Sequence, residues 1–123
     1  MDKQNNFHQL GTHILLDVWQ IKNTGILDNI TLMEALLERA AKKAEATVRQ
    51  KVSHQFEPHG ISCMLVLAES HISCHTWVEH NAAQFDVFTC GTTCDPHLAI
   101  EVIIQTLQPL QSKITVIKRG LDL

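Results

Sequence analysis

Between Ile61 and Cys90 three strand-length runs follow one another with no room for a helix, and that succession commits the chain to a sheet of mostly antiparallel neighbours. Ile61 to Ala68 is nearly all apolar, as the centre of a sheet requires. Ser70 to Val78 alternates, with His71, Ser73, His75 and Trp77 on one face and Ile72, Cys74 and Thr76 on the other. Gln84 to Cys90 is the third run. Upstream, HILLDVW (His13 to Trp19) reads as a first strand, and Thr47 to Phe56 as a second that ends at the turn signal EPHG. Thr31 to Ala46 carries helical spacing, with Thr31 as N-cap and Glu34 completing a capping box. Asp95 before Pro96 opens a second helix that runs to Leu107, Pro109 stops it, and Lys113 to Arg119 alternates into a last strand. The order predicts an α+β two-layer sandwich in one domain spanning 1–123, a mostly antiparallel sheet with two helices on one face. The other face is partly apolar, so a homodimer that covers it is expected.

Composition narrows the function classes. At 123 residues the chain can bury about two thirds of its unfolded surface, enough for one core. Thirteen acidic residues against ten Lys and Arg, with no basic run longer than Lys42 and Lys43, leave nothing to grip a phosphate backbone, so no nucleic acid partner is expected. The N-terminal residues are polar and no stretch approaches the roughly 18 apolar residues that span a bilayer, so no membrane is expected and a cytoplasmic setting is. Four cysteines in such a setting are free thiols. Eight histidines beside them raise zinc, but there is no CxxC, and Cys90, Cys94 and His97 are a poor approximation to a structural site; no metal is expected.

The stretch from Ala68 to Cys90 carries the chemistry. It sets Glu69 before Ser70, with His75 and Cys90 downstream, and a carboxylate-flanked serine with an imidazole and a thiol to follow is a candidate for covalent chemistry. A period of two puts His75 on the opposite face from Ser70. Their cooperation therefore requires a bend or bulge near Ser70.

The run FEPHGISCMLVLAESHISCHTWVEH, followed by DVFTCG and DP, resembles the bacterial and archaeal S-adenosylmethionine decarboxylase proenzymes, whose pattern is a phenylalanine and a proline before HGVSG, then AESHLSIHTWPEY, then DVFTCG. The resemblance extends from Leu10 to about Gly120. It implies self-cleavage between Glu69 and Ser70 into chains 1–69 and 70–123, by attack of the Ser70 hydroxyl on the Glu69 carbonyl, elimination from the resulting ester and hydrolysis. Ser70 becomes a pyruvoyl group, the only cofactor implied, whose carbonyl condenses with the substrate amine and accepts electrons as the carboxylate leaves. The implied activity converts S-adenosylmethionine to its decarboxylated form, an aminopropyl donor for spermidine and other polyamines. His75 matches the processing histidine, suited as a base that takes the Ser70 α-proton. Cys90 matches the cysteine that returns a proton after carbon dioxide leaves, and Ser62 a serine that supports processing by hydrogen bonding. Phe56 and Glu79 match positions that stack on the adenine and bond the ribose hydroxyls, although Phe56 can equally be core and Glu79 a solvated rim charge. Trp77, His54, His59, His71, Cys63, Cys74 and Cys94 read as packing.

The chain departs from the pattern at Val78 for a proline, His80 and Asn81 for Tyr-Gly, His97 for a tryptophan, and Thr12 where Arg or Lys is common. None touches the self-cleavage set. Arginine or ornithine stays open as an alternative substrate for the same pyruvoyl chemistry, and so does an uncleaved regulatory paralogue.

Overall fold

The computed structural model describes residues 6–123. Six strands form one sheet, β1 (Phe7–Ile21), β2 (Val48–Gln55), β3 (Ile61–Leu67), β4 (Ser70–Trp77), β5 (Ala82–Cys90) and β6 (Pro109–Asp122), in the order β2-β3-β4-β5-β1-β6 with every neighbouring pair antiparallel. Two helices, α1 (Ile30–Lys43) and α2 (Pro96–Leu107), complete the α+β sandwich that the alternation and the two amphipathic segments predict. No helix among the described residues is long and apolar enough to cross a membrane.

The core lies between the helices and one face of the sheet. Met33, Leu36, Leu37, Ala40 and Ala41 of α1, with Ala99, Ile100, Ile103 and Leu107 of α2, bury against Ile14, Leu16, Leu65, Ile72, Cys74, Phe85 and Val87. The other face is open. Reading the register across it, one row runs Val52, Met64, Ser73, Asp86, Leu15 and Thr115. Val52, Met64, Leu15, Trp19, Trp77 and Ile117 are exposed there, far more apolar surface than scattered single residues present.

Local signals differ from expectation in instructive ways. The N-cap of α1 is Asn29, whose side chain accepts from the Leu32 N–H at 3.0 Å, and Thr31 lies inside the first turn. Asn29 has the extended backbone that a cap needs, and the turn Thr24–Ile26 delivers the chain to it two residues before the expected position. Asp95 caps α2 as expected, accepting from the His97 N–H, and Pro96 occupies the first helical position. Strands β1 and β6 outrun the predicted His13–Trp19 and Lys113–Arg119 because each pairs with the other for almost its whole length, where exposed polar residues cost the ladder nothing. Trp77, expected to be packing, is 47% exposed on the open face.

Candidate active site

The β3–β4 hairpin divides the expected site residues between its two ends. Its register pairs Leu67 with Ser70 at the tip and Ser62 with His75 near the base, with no shift between them. At about 3.3 Å per residue the five steps from Ser70 to His75 separate them by roughly 17 Å. The bulge that their cooperation within one chain requires is absent; the backbone departs from regularity only at Ser70 itself.

At the tip, Glu69 is clamped through both its backbone carbonyl and its side chain. Its backbone carbonyl oxygen accepts from the Cys90 N–H at 3.0 Å and from the Cys90 Sγ–H at 3.0 Å. Its side-chain Oε1 accepts from the Thr47 N–H at 3.0 Å, and the preceding Ala68 N–H donates to the Thr47 carbonyl at 2.8 Å. Burial, and then the Glu69 carboxylate, push the neighbouring Cys94 thiol up. Ser70 follows with φ of +149°, a conformation that costs a residue with a Cβ on the order of 1–3 kcal/mol. Two donors converging on the carbonyl whose carbon the Ser70 hydroxyl would attack form the arrangement that stabilises an oxyanion. Gly11 lies opposite Cys90, and a Cβ there would stand 2.8 Å from the Phe88 ring and from the Thr89 carbonyl, so a side chain at 11 would push on the strand that holds the clamp.

The second group lines a cleft of about 250 Å³ whose walls include Phe56, His59, Ser62, His75, Trp77 and Glu79. Ser62 Oγ and His75 Nδ1 share a hydrogen bond of 2.7 Å, which fixes the plane of the ring and leaves Nε2 for other work. Phe56 is 48% exposed, so it is not core, and its ring meets His54 edge-on at 4.6 Å. Glu79 lies on the single turn Val78–His80, 3.3 Å from His59 Nδ1. The loop between β2 and β3 is held by Asp28, whose Oδ1 accepts from the Gly60 N–H and the Gln55 amide, each at 2.8 Å. The Gly60 hydrogen bond, then that of Gln55, hold the Asp28 carboxyl below its usual value. Gly60 has φ of +104°, which a side chain resists. Thus Ser62 and His75 meet each other, Phe56 and Glu79 share their cleft, and Ser70 with Cys90 stand apart from all four.

A third cluster escaped the sequence reading because its members lie on four strands. His13, His71 and Asp86 bring ligand-type atoms within 4.8 Å of one another on the open face. Arg119 has only donors, so its Nη1, 3.0 Å from His13 Nδ1, makes that nitrogen an acceptor and places the ring hydrogen on Nε2, which donates to Asp86 Oδ1. His71 Nε2 lies 3.4 Å from the same oxygen. Both ring nitrogens of His13 are thus engaged, and Arg119, His13, Asp86 and His71 form one polar network across the open face. Alternation hinted at it, since His71 and Asp86 fall on one face of their strands.

The chain matches a known family in both sequence and fold. The family model described as S-adenosylmethionine decarboxylase matches residues 12–120. An S-adenosylmethionine decarboxylase proenzyme of Thermodesulfovibrio yellowstonii is 41% identical over 114 residues, covering 93% of this chain and 84% of the relative. One of Methanococcus maripaludis is 42% identical over 113 residues, covering 92% of each. The crystal structure of the adenosylmethionine decarboxylase of Aquifex aeolicus superposes with a TM-score of 0.85 at 39% identity over 92% of both chains. With matching sequence, fold and length, this chain belongs to the S-adenosylmethionine decarboxylase family.

Proposed function

We propose that this chain is a self-processing, pyruvoyl-dependent decarboxylase of S-adenosylmethionine, whose site is completed by a second copy of the chain. The observation that carries the reading is the clamp at Glu69: two Cys90 donors on one carbonyl oxygen, beside a serine held at φ of +149°. Attack by Ser70 Oγ breaks the Glu69–Ser70 amide, moves the acyl group to oxygen and relieves that backbone conformation, while the developing oxyanion keeps both donors. A base then removes the Ser70 α-proton, the Cβ–Oγ bond breaks so that Oγ leaves in the new main-chain carboxylate of Glu69, and the dehydroalanine left behind tautomerises to an imine whose hydrolysis releases ammonia and leaves a ketone on the new N-terminus. That ketone supplies the electron-accepting carbonyl for loss of carbon dioxide.

His75 is suited to be the base, but not for the serine of its own chain, which lies roughly 17 Å away along the strand. Two sheets packed through their open faces about a two-fold axis bring the tip of one hairpin over the base of the other. Ser70 and Cys90 of one copy then meet Ser62, His75, Phe56 and Glu79 of its partner, and the arrangement repeats on the other side. The exposed Val52, Met64, Leu15 and Trp77 are what such a face needs. In the completed site the Ser62 hydrogen bond orients the His75 ring, and the Cys90 thiol is placed to return a proton to the substrate carbon. The exposed Phe56 ring stacks on adenine, and Glu79 accepts from the ribose hydroxyls. A cleft with these two groups favours a nucleoside-bearing substrate over arginine or ornithine, which have no base to stack.

Intact-mass spectrometry of purified protein tests the reading. Two chains, 1–69 and 70–123, with the second reactive to a hydrazine probe and able to release carbon dioxide from S-adenosylmethionine, are the expected result. One unbroken, unreactive chain overturns it and leaves the non-catalytic paralogue.

A further inference from the structure

His59 carries a buried Nδ1 with no hydrogen-bond partner, and the polar group facing it is Glu79 Oε2 at 3.3 Å. Orphaned buried ring nitrogens are rare, and this one lines the cleft that holds Phe56, Ser62 and His75. The loop that presents it is not loose. Phe56 N–H donates to the Gly60 carbonyl at 2.8 Å, the Gln55 amide reaches the same carbonyl at 3.0 Å, and Asp28 holds the Gly60 N–H. Glu79, by contrast, stands on a single exposed turn, with its side chain 46% accessible. A rigidly mounted donor therefore faces a loosely mounted carboxylate across a short gap.

From this pairing we infer that His59 is a positioning residue for recognition of the substrate's vicinal diol. When a nucleoside enters, Nδ1–H donates to Glu79 Oε2 and turns the carboxylate so that its remaining lone pairs accept from both hydroxyls. A carboxylate is an acceptor only and a diol brings two donors, so the match depends on the angle of the carboxylate, which His59 sets. His59 then governs discrimination for the diol without touching the reacting atoms. The inference rests on the proposed reading of this cleft as the nucleoside side of the site.

The test is steady-state kinetics of processed protein with S-adenosylmethionine and its 3′-deoxy analogue. His59→Phe keeps a ring in place and removes the donor. It is expected to raise KM for S-adenosylmethionine about tenfold, as loss of one charge-assisted hydrogen bond does, with kcat nearly unchanged and chain cleavage complete. Preference over the deoxy analogue falls by a similar factor. His59→Asn, which restores a donor, recovers part of the loss, and in a Glu79→Ala background His59→Phe adds nothing. An unchanged KM, an equal rise for both substrates, or full additivity with Glu79→Ala overturns the inference while leaving the decarboxylase reading intact. Wild-type protein that fails to turn over or bind S-adenosylmethionine removes both.

Discussion

At Cys90 the proposed mechanism asks two functions of one side chain. Its thiol donates to the Glu69 carbonyl in the uncut chain, and once that bond is gone the same thiol is free to hand a proton to substrate. Cys90→Ala leaves the backbone N–H in place, so cleavage should slow by about tenfold rather than stop, while turnover is lost; a time course on denaturing gels beside a carbon dioxide assay separates the two. Ser70→Ala should leave one chain with no activity at all. Thiol mapping should find Cys90 alkylated first, since Cys63, Cys74 and Cys94 are buried and burial pushes each of these three thiols up, Cys74 furthest. Glu69, Ser70 and Cys90 stood out in the sequence as a carboxylate-flanked serine with a thiol at the end of a later strand, and the structure brings Cys90 onto the Glu69 carbonyl. The pairing of His59 with Glu79 did not stand out, since it spans a hairpin and depends on a loop fastened by Asp28, a residue from before α1.

Single elements show where local rules compete. Thr31 with Glu34 satisfied the capping-box pattern, yet Asn29 is the cap, because the turn at Thr24–Ile26 presents Asn29 in extended geometry. Asn29→Ala should destabilise the fold by about 1 kcal/mol and Thr31→Ala by much less, as read by urea unfolding. The β2–β3 loop gives a pH effect of defined sign. Asp28 has its carboxyl lowered by the Gly60 and Gln55 hydrogen bonds, so its contribution is present above the unfolded value near 4 and fades as pH falls through the lower folded value. In Asp28→Asn that acid-side component should be absent from the stability profile, which unfolding curves between about pH 5 and pH 2 will report. Helix α2 was legible in full because Asp-Pro at its start and Pro109 after its end are unambiguous, whereas β1 and β6 grew beyond their apolar cores through pairing that no local window contains.

Across the whole molecule, regular alternation from Ser70 to Val78 sets Ser70 and His75 on opposite faces, and the φ of +149° at Ser70 is where the tip of the hairpin departs from that pattern. What the sequence leaves hidden is that the hairpin sets Leu67 opposite Ser70 and Ser62 opposite His75, so that in the proposed mechanism one chain holds two halves of a site at two ends. The open face with its exposed Met64 and Leu15 gives the halves a way to meet. Replacing Met64 with Glu, on an exposed position that leaves the core untouched, should yield monomers by sedimentation and stop cleavage with the fold retained. The most direct measurement is co-expression of Ser70→Ala and His75→Ala chains carrying different tags, followed by isolation of the mixed dimer. Each variant alone should remain whole. In the mixed dimer the His75→Ala chain should be cut after Glu69, using the histidine of its partner, while the Ser70→Ala chain stays intact; a mixed dimer in which neither chain is cut would contradict a site shared between copies.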